Sequence, residues 1–209
     1  MLVDKNLNDY VKIYKAELNK GEIILSKNIL ILNGSPRANG NTAAMVNALI
    51  LGAESVGHTT NKVDIRLLNI KPCTGCYSCA AGKGDPCVQK DDMKKEVYQN
   101  LDMADVVVFA SPLYWWQFTA QMKTVIDRLF AVAAANNMHI PKKEVALLIA
   151  AEDKRKENFA QIIPYYKTCL VNNLNWTDRG MILAGGVNMP GDVEKTLFLK
   201  QAEELGASF

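Results

Sequence analysis

Residues 29–42 of the chain have the sequence ILILNGSPRANGNT, an apolar run that passes directly into a loop of glycine, asparagine and serine. The four aliphatic residues have the length of a strand that is buried on both faces, and Gly34 supplies a turn signal at its end. A helical pattern begins at Asn41. This order predicts a strand, a tight loop and a helix.

Four further apolar stretches follow, and helical patterns separate them. Because strands that alternate with helices form parallel sheets covered on both sides, the pattern predicts an α/β doubly wound sandwich. The predicted strands are residues 29–32, 63–67, 106–110, 145–151 and 181–184, and the predicted helices are residues 41–56, 94–103, 118–135, 158–171 and 192–206.

Residues 1–26 stand outside this alternation. Leu7, Tyr10, Val11, Tyr14 and Leu18 recur at helical spacing, so we expect an N-terminal helical extension that ends near position 21. Such a helix would pack on the domain edge or take part in dimerisation. Residues 27–209 are expected to form one domain.

The composition is that of an ordinary globular protein, with 209 residues of which 49% are hydrophobic and 22% charged. A formal net charge of +2 argues against a nucleic-acid partner. No apolar run has the length of a membrane span, and the first residues lack the pattern of a signal peptide. We therefore expect a cytoplasmic protein with no membrane partner.

The loop after the first strand has the features of a phosphate site. It brings backbone N–H groups and the positive end of a helix dipole to the carboxyl edge of the sheet. Ser35, Asn41 and Thr42 add polar donors, and Arg37 adds a cation. The loop lacks the lysine of a nucleotide triphosphatase and the GxGxxG spacing of a dinucleotide site. An ordinary capped turn is the alternative interpretation.

The third strand ends in SPLYWW at residues 111–116, at the same predicted edge. Three large aromatic rings at a strand end are suited to cover a planar heterocycle. Packing in the core or at a subunit interface is the alternative. The glycine-rich loop at residues 185–192 follows the last strand and is expected to close over the same edge.

Three segments together carry a resemblance to a known family: GSPRANGNT at 34–42, SPLYWWQFTAQMKTVIDR at 111–128 and AGGVNMPGD at 184–192. They resemble the flavodoxin-like NAD(P)H-dependent FMN reductase and quinone reductase family. The resemblance implies a five-stranded parallel sheet of order 2-1-3-4-5, so that residues 27–209 are a flavodoxin-like FMN-binding domain. It also implies noncovalent FMN, NAD(P)H as a transient donor, and a homodimer or homotetramer.

The resemblance assigns the cofactor-binding residues motif by motif. One group would hold the phosphate, a second would contact the flavin ring, and the loop after the fourth strand would complete the pocket. These groups are Ser35, Arg37, Gly40, Asn41 and Thr42; Pro112, Leu113, Tyr114 and Trp115; and Ala151 with the neighbouring Glu152.

Four of the five cysteines, Cys73, Cys76, Cys79 and Cys87, follow the second predicted strand. Three of them at CxxCxxC spacing can face one [4Fe–4S] cluster, and the following Gly/Pro-containing turn can return the fourth. This segment resembles the iron–sulfur flavoprotein branch of the same family, and it equally resembles relatives regarded as plain flavin reductases. Reduced thiols without metal therefore remain the alternative, with zinc or a disulfide a poorer match.

These observations predict an enzyme in which FMN passes electrons from NAD(P)H to a small-molecule acceptor such as a quinone or a flavin. No side chain is expected to act as a catalytic acid, base or nucleophile, because the flavin carries the chemistry. The alternative is an iron–sulfur flavoprotein that relays electrons between a ferredoxin-like donor and FMN. A flavin-free binding subunit is the third interpretation.

Overall fold

A computed structural model describes residues 18–19, 22–23, 25–81 and 86–209. Its five-stranded sheet consists of β1 (Asn28–Asn33), β2 (Thr59–Asp64), β3 (Val106–Pro112), β4 (Glu144–Ala151) and β5 (Thr177–Gly185). All four strand pairs are parallel, and the spatial order is β2-β1-β3-β4-β5. The predicted α/β fold and the 2-1-3-4-5 order are confirmed.

Six α-helices are described: α1 (Asn41–Ser55), α2 (Gln99–Met103), α3 (Ala120–Arg128), α4 (Phe130–Ala135), α5 (Ile162–Tyr165) and α6 (Phe198–Ala207). A π-helical segment, Met93–Tyr98, leads into α2, and another, Tyr166–Asn172, continues α5. Short 3-10 turns occur at Ile65–Leu67, Ser78–Ala81, Lys156–Phe159 and Asp192–Lys195. Among the described residues, no helix is long and apolar enough to cross a bilayer.

The alternating side chains of β1 divide the core into two layers. Leu30 and Leu32 pack on one face of the sheet together with residues of α2 and α3. Ile29 and Ile31 pack on the other face together with residues of α1 and α6. Both faces of β1 are therefore buried, as its uninterrupted apolar run predicts.

The closest helix contact of the second layer is between α1 and α6. An added Cβ at Gly52 would lie 1.9 Å from the carbonyl oxygen of Glu203, and one at Gly206 would lie 2.1 Å from that of Leu49. The two glycines therefore allow the helix backbones to touch.

The second predicted strand, residues 63–67, is displaced by several positions. β2 runs over Thr59–Asp64, and Ile65–Leu67 is a 3-10 turn. The last pair of the ladder joins Asn33 to Asp64, because β1 ends there and turns into the loop at Gly34. The position of the partner strand, rather than the apolar alternation, determines where this edge strand lies.

Three predicted helices are interrupted. The helix predicted over 118–135 begins at Ala120, because the hydroxyl of Thr119 accepts the N–H of Met122 as an N-cap, and it is divided at Leu129. The helix predicted over 158–171 is a succession of 3-10, α- and π-helical turns. The helix predicted over 192–206 becomes α-helical only at α6, after extended backbone at Thr196.

The predicted N-terminal helix mostly lies outside the described residues, and there it stays a prediction. At its predicted end, however, Leu18–Asn19 pairs antiparallel with Glu22–Ile23, so this part is not helical. The sequence between the two paired segments contains Gly21, a residue of low helix propensity.

Candidate functional site

The loop between β1 and α1 is held in shape by its own short side chains. The N–H of Ser35 donates to Oδ1 of Asn33 at 3.1 Å, and Oγ of Ser35 accepts the N–H of Arg37 at 3.2 Å. Nδ2 of Asn33 in turn donates to the carboxylate of Asp64 at 2.7 Å. The loop is thereby fixed to β1 and β2 at the carboxyl edge of the sheet.

The N-terminus of α1 is suited to bind an anion. Its N-cap residue is Gly40, and no side chain caps the first turn. The first N–H groups of a helix have no intrahelical acceptor and carry the positive end of the helix dipole. Thr42 is buried within this turn, whereas Arg37 is exposed at its rim. The geometry therefore suits a phosphate group.

Two side chains of this loop are bonded to the loop after β5. Nδ2 of Asn41 donates to the carbonyl of Met189 at 3.0 Å, while its Oδ1 accepts the N–H of Val193 at 3.2 Å. Nη1 of Arg37 donates to the carbonyl of Asn188 at 3.1 Å. The side-chain amide of Asn41 thus connects the N-terminus of α1 to the loop after β5.

The aromatic segment after β3 forms a tight turn. Tyr114 and Gln117 exchange two backbone hydrogen bonds of 3.0 Å each. The two residues between them, Trp115 and Trp116, have φ angles of 49° and 61°. Positive φ at both central positions is the signature of a type I′ turn, which ordinarily contains asparagine and glycine. Large side chains in this conformation are strained, and such strain occurs mostly at functional sites.

The strained turn presents Trp115 almost entirely to solvent, with 88% of its surface exposed. Its ring meets that of Trp116 edge to face, with 5.3 Å between the ring centroids. Nε1 of Trp116 donates to Oδ1 of Asn158 at 3.1 Å, which fixes the second ring. The described residues therefore offer an aromatic surface beside the phosphate loop that no core residue covers.

A cleft of about 470 Å³ joins these features. It lies at the carboxyl ends of β1, β3 and β4, where open α/β sheets bind ligands. The cleft is also lined by Ala150, Val187 and Asn188, which the assignment from the sequence did not include. Val187 and Asn188 belong to the AGGVNMPGD segment at 184–192, so the resemblance of that segment could have identified them. All the residues assigned to FMN from the sequence border this one cleft: Ser35, Arg37, Gly40, Asn41, Thr42, Pro112, Leu113, Tyr114, Trp115, Ala151 and Glu152.

Backbone contacts explain why the separate segments meet. The N–H of Leu113 donates to the carbonyl of Ala150 at 2.8 Å, and the N–H of Val187 donates to that of Ala151 at 2.9 Å. In the charged stretch after β4, only Glu152 is among the residues that line the cleft. Hydrogen bonds from Arg155 lower the pKa of Asp153 to about 2, so this carboxylate stays ionised and paired outside the cleft.

The four clustered cysteines line a second cavity, of about 180 Å³. Its other wall is formed where α3 passes into α4, by Asp127, Arg128, Phe130 and Ala131. All five cysteines of the chain are free, which contradicts the disulfide alternative. Hydrogen bonding to Ser78 lowers the pKa of the Cys76 thiol to about 7, which favours the thiolate. The cavity thus has the soft anionic ligands that iron and zinc prefer.

The arrangement of these thiols argues against a single ion. Among the described residues, no three His, Cys, Asp or Glu side chains converge closely enough to hold one metal ion. Yet the four cysteines share one cavity. Each thiolate of an iron–sulfur cluster binds a different iron, so the sulfur atoms lie farther apart than around one zinc ion. The four thiols that line this cavity are the kind of ligand that an iron–sulfur cluster requires.

The cleft and the cysteine cavity have no described lining residue in common. They lie towards opposite ends of α3. At its start, the hydroxyl of Thr119 donates to the carbonyl of Gly34 at 2.8 Å, and at its end Arg128 lines the cysteine cavity. The nine residues of α3 span about 13 Å, which is the length of helix between the two sites.

Comparison with known proteins agrees with this geometry. The match to the NADPH-dependent FMN reductase family covers residues 27–161. An iron–sulfur flavoprotein of Archaeoglobus fulgidus is 46% identical over 96 residues, which are 46% of this chain and 42% of that protein. One of Methanosarcina thermophila is 34% identical over 97 residues, covering 46% and 49% of the two chains. The chain thus spans about half the length of the curated relatives it matches.

Solved structures with the same fold are more distant in sequence. An NAD(P)H:quinone oxidoreductase from Methanothermobacter marburgensis superposes with a TM-score of 0.70 at 17% identity, over 88% of this chain and 96% of that one. An FMN-dependent NADH-azoreductase of Bacillus anthracis in complex with FMN has a TM-score of 0.62 at 12% identity, over 87% and 98%. With the family match over residues 27–161, these findings show that the chain belongs to the NADPH-dependent FMN reductase family.

Proposed function

We propose that this protein is an FMN-dependent oxidoreductase that transfers electrons from NAD(P)H to a small acceptor such as a quinone or a flavin. The observation that carries the proposal is the single cleft in which an uncapped helix N-terminus and an exposed aromatic turn face the same space. One end suits a phosphate and the other suits a planar ring, which are the two ends of FMN. The family match and the flavin-dependent structural neighbours support the same conclusion.

In this proposal the chain binds and orients, and FMN supplies the electron-transfer chemistry when it is bound. Ser35, Arg37, Gly40, Asn41 and Thr42 hold the phosphate. Pro112, Leu113, Tyr114, Trp115 and Ala151 contact the ring. Because Trp115 is so exposed in the single chain, a second copy of this chain covers it in the proposed homodimer or homotetramer. A cytoplasmic location stays a prediction.

The phosphate assignment is tested with two ligands that differ only in the phosphate. Charge-assisted hydrogen bonds contribute about 1.5–3 kcal/mol each. We expect the double variant Arg37→Ala/Thr42→Ala to weaken FMN binding by about a hundredfold, and riboflavin binding hardly at all. Arg66→Ala, which removes an exposed arginine from the turn after β2, is the matched control. Equal losses for both ligands would place the phosphate elsewhere.

A second candidate function, that of an iron–sulfur flavoprotein that relays single electrons, is favoured by the cysteine cavity. Cys73, Cys76, Cys79 and Cys87 line it together, so these thiols fit a [4Fe–4S] cluster. The curated relatives described above are named iron–sulfur flavoproteins. In this role the four cysteines would hold the cluster, which would supply one-electron chemistry.

The two functions differ in what the cysteines do. Protein purified without oxygen is assayed for iron, sulfide and NAD(P)H-driven quinone reduction, beside the variants Cys76→Ser/Cys79→Ser and, as a control, Cys169→Ser. The relay function requires that the double variant loses iron and activity together while Cys169→Ser keeps both. A double variant that retains FMN and full activity would support the reductase without a relay.

A further inference from the structure

The cysteine segment is fastened at both ends by one buried ion pair. Arg128, the last residue of α3, and Asp91 are both buried, with side-chain exposures of 1% and 0%. Nη1 of Arg128 contacts the Asp91 carboxylate and donates to the carbonyl of Lys71 at 3.2 Å. The carboxylate of Asp91 also accepts the N–H of Lys71 at 3.0 Å. Lys71 precedes the first cysteine of the segment and Asp91 follows the last.

The remaining donors of this guanidinium lack acceptors. A guanidinium carries five N–H donors, and Nη1 accounts for two of them. Nε and Nη2 of Arg128 are buried, and neither atom forms a hydrogen bond of normal geometry with a described residue, although the Tyr98 hydroxyl interacts with the same side chain. Buried donors are nearly always satisfied, so two unsatisfied nitrogen atoms on one buried cation call for an acceptor.

The surroundings of Arg128 indicate what the acceptor is. Its side chain lines the same cavity as the four clustered cysteines. Burial opposes its charge, but Asp91, Tyr98 and Cys87 raise its pKa above the ordinary value, so the cation persists. The proposed cluster would bring anionic sulfur atoms to this cavity, and cluster sulfur atoms accept hydrogen bonds from protein donors.

We propose that Arg128 is a positioning residue that donates hydrogen bonds from Nε and Nη2 to the sulfur atoms of the cluster and thereby raises its reduction potential. The inference rests on the proposed cluster at Cys73, Cys76, Cys79 and Cys87. Reduction by one electron makes the cluster more negative. A fixed cation with N–H donors stabilises the reduced form more than the oxidised form. Nη1 and Asp91 meanwhile hold the cysteine segment around it.

Two variants separate the free donors from the ion pair. Arg128→Lys retains the charge and a partner for Asp91, but it lacks the Nε and Nη2 donors. Asp91→Asn retains those donors and weakens the ion pair. Each protein is reconstituted without oxygen, assayed for iron and sulfide, and titrated with dithionite while the reduced cluster is followed by electron paramagnetic resonance.

We expect Arg128→Lys to disfavour one-electron reduction by at least about tenfold, which lowers the midpoint potential by about 59 mV. The potential of Asp91→Asn should not decrease, because that change removes a negative charge and leaves the free donors in place. An unchanged potential in Arg128→Lys, or an equal decrease in Asp91→Asn, would overturn the role of the free donors. Iron-free wild-type protein would instead overturn the cluster proposal, and this inference with it.

A measurement on the wild-type protein keeps the test valid if both variants lose the cluster. Protein grown with ¹⁵N-labelled arginine should show a hyperfine coupling between ¹⁵N and the reduced cluster in pulsed electron paramagnetic resonance. A reduced cluster without any such coupling would show that no arginine donates to it.

Discussion

Backbone strain in the aromatic turn predicts that two substitutions of Trp115 differ in the stability of the protein but not in its affinity for FMN. Trp115 has a φ of 49° and lies 88% exposed, so replacing it changes little buried surface. Trp115→Ala and Trp115→Asn both remove the ring and its contact with Trp116. They differ in the backbone, because asparagine tolerates the left-handed region and alanine does not.

The left-handed conformation costs an ordinary residue about 1–2 kcal/mol, and asparagine avoids part of this cost. We therefore expect flavin-free Trp115→Asn to be more stable than Trp115→Ala by about 1 kcal/mol. For a domain of this size, that difference corresponds to about 2–4 °C in Tm. Urea unfolding and thermal melting of the two variants measure it directly.

Binding of FMN should not distinguish the two variants. Both lose the aromatic surface, so we expect each to bind FMN about tenfold more weakly than the wild type, with less quenching of tryptophan fluorescence. An alanine variant as stable as the asparagine variant would refute the strain. Wild-type affinity in both would remove Trp115 from the flavin site.

Three further predictions follow from packing, charge and exposure. Gly52→Ala should destabilise the protein in thermal melts, although alanine ordinarily stabilises a helix by about 1 kcal/mol, because its Cβ would meet the Glu203 carbonyl at 1.9 Å. Burial alone would raise the pKa of Asp91, but hydrogen bonds from Arg128 and the backbone lower it below its ordinary value of 3.8. The pair therefore stabilises the fold above about pH 4, and the stability difference between wild type and Asp91→Asn should shrink as the pH falls further. Light scattering should give a dimer or tetramer, and Trp115→Asp should shift it towards monomer if that ring is covered by a second copy.

Sequence patterns were sufficient to locate those segments whose structure depends on interactions between neighbouring residues. The run at 29–32, the loop at 34–42 and the aromatic segment at 111–116 were located from neighbouring residues alone. The strand order was available only through the family resemblance, since it depends on which strands pair. β2 was misplaced for the same reason, because its last pair with Asn33 determines where it ends.

Two features of the candidate sites had no signal in the sequence. Asp91 and Arg128 are 37 positions apart, and only the packing of α3 against the cysteine segment brings them together. The positive φ angles of Trp115 and Trp116 were equally unpredictable, because tryptophan is not a residue that favours such turns. Long-range burial and backbone strain are properties of the folded chain.

The bonds of Asn41 to Met189 and Val193 have a consequence for the kinetics of ligand entry. These bonds run between groups of the protein itself, so they hold the loop after β5 against the phosphate loop. Little chain entropy is then lost on binding, so association is limited by diffusion and desolvation rather than by loop closure. If Arg37 binds the phosphate as proposed, only its bond to Asn188 is exchanged. Differences in affinity among variants of this cleft should therefore appear mainly in the rate of dissociation.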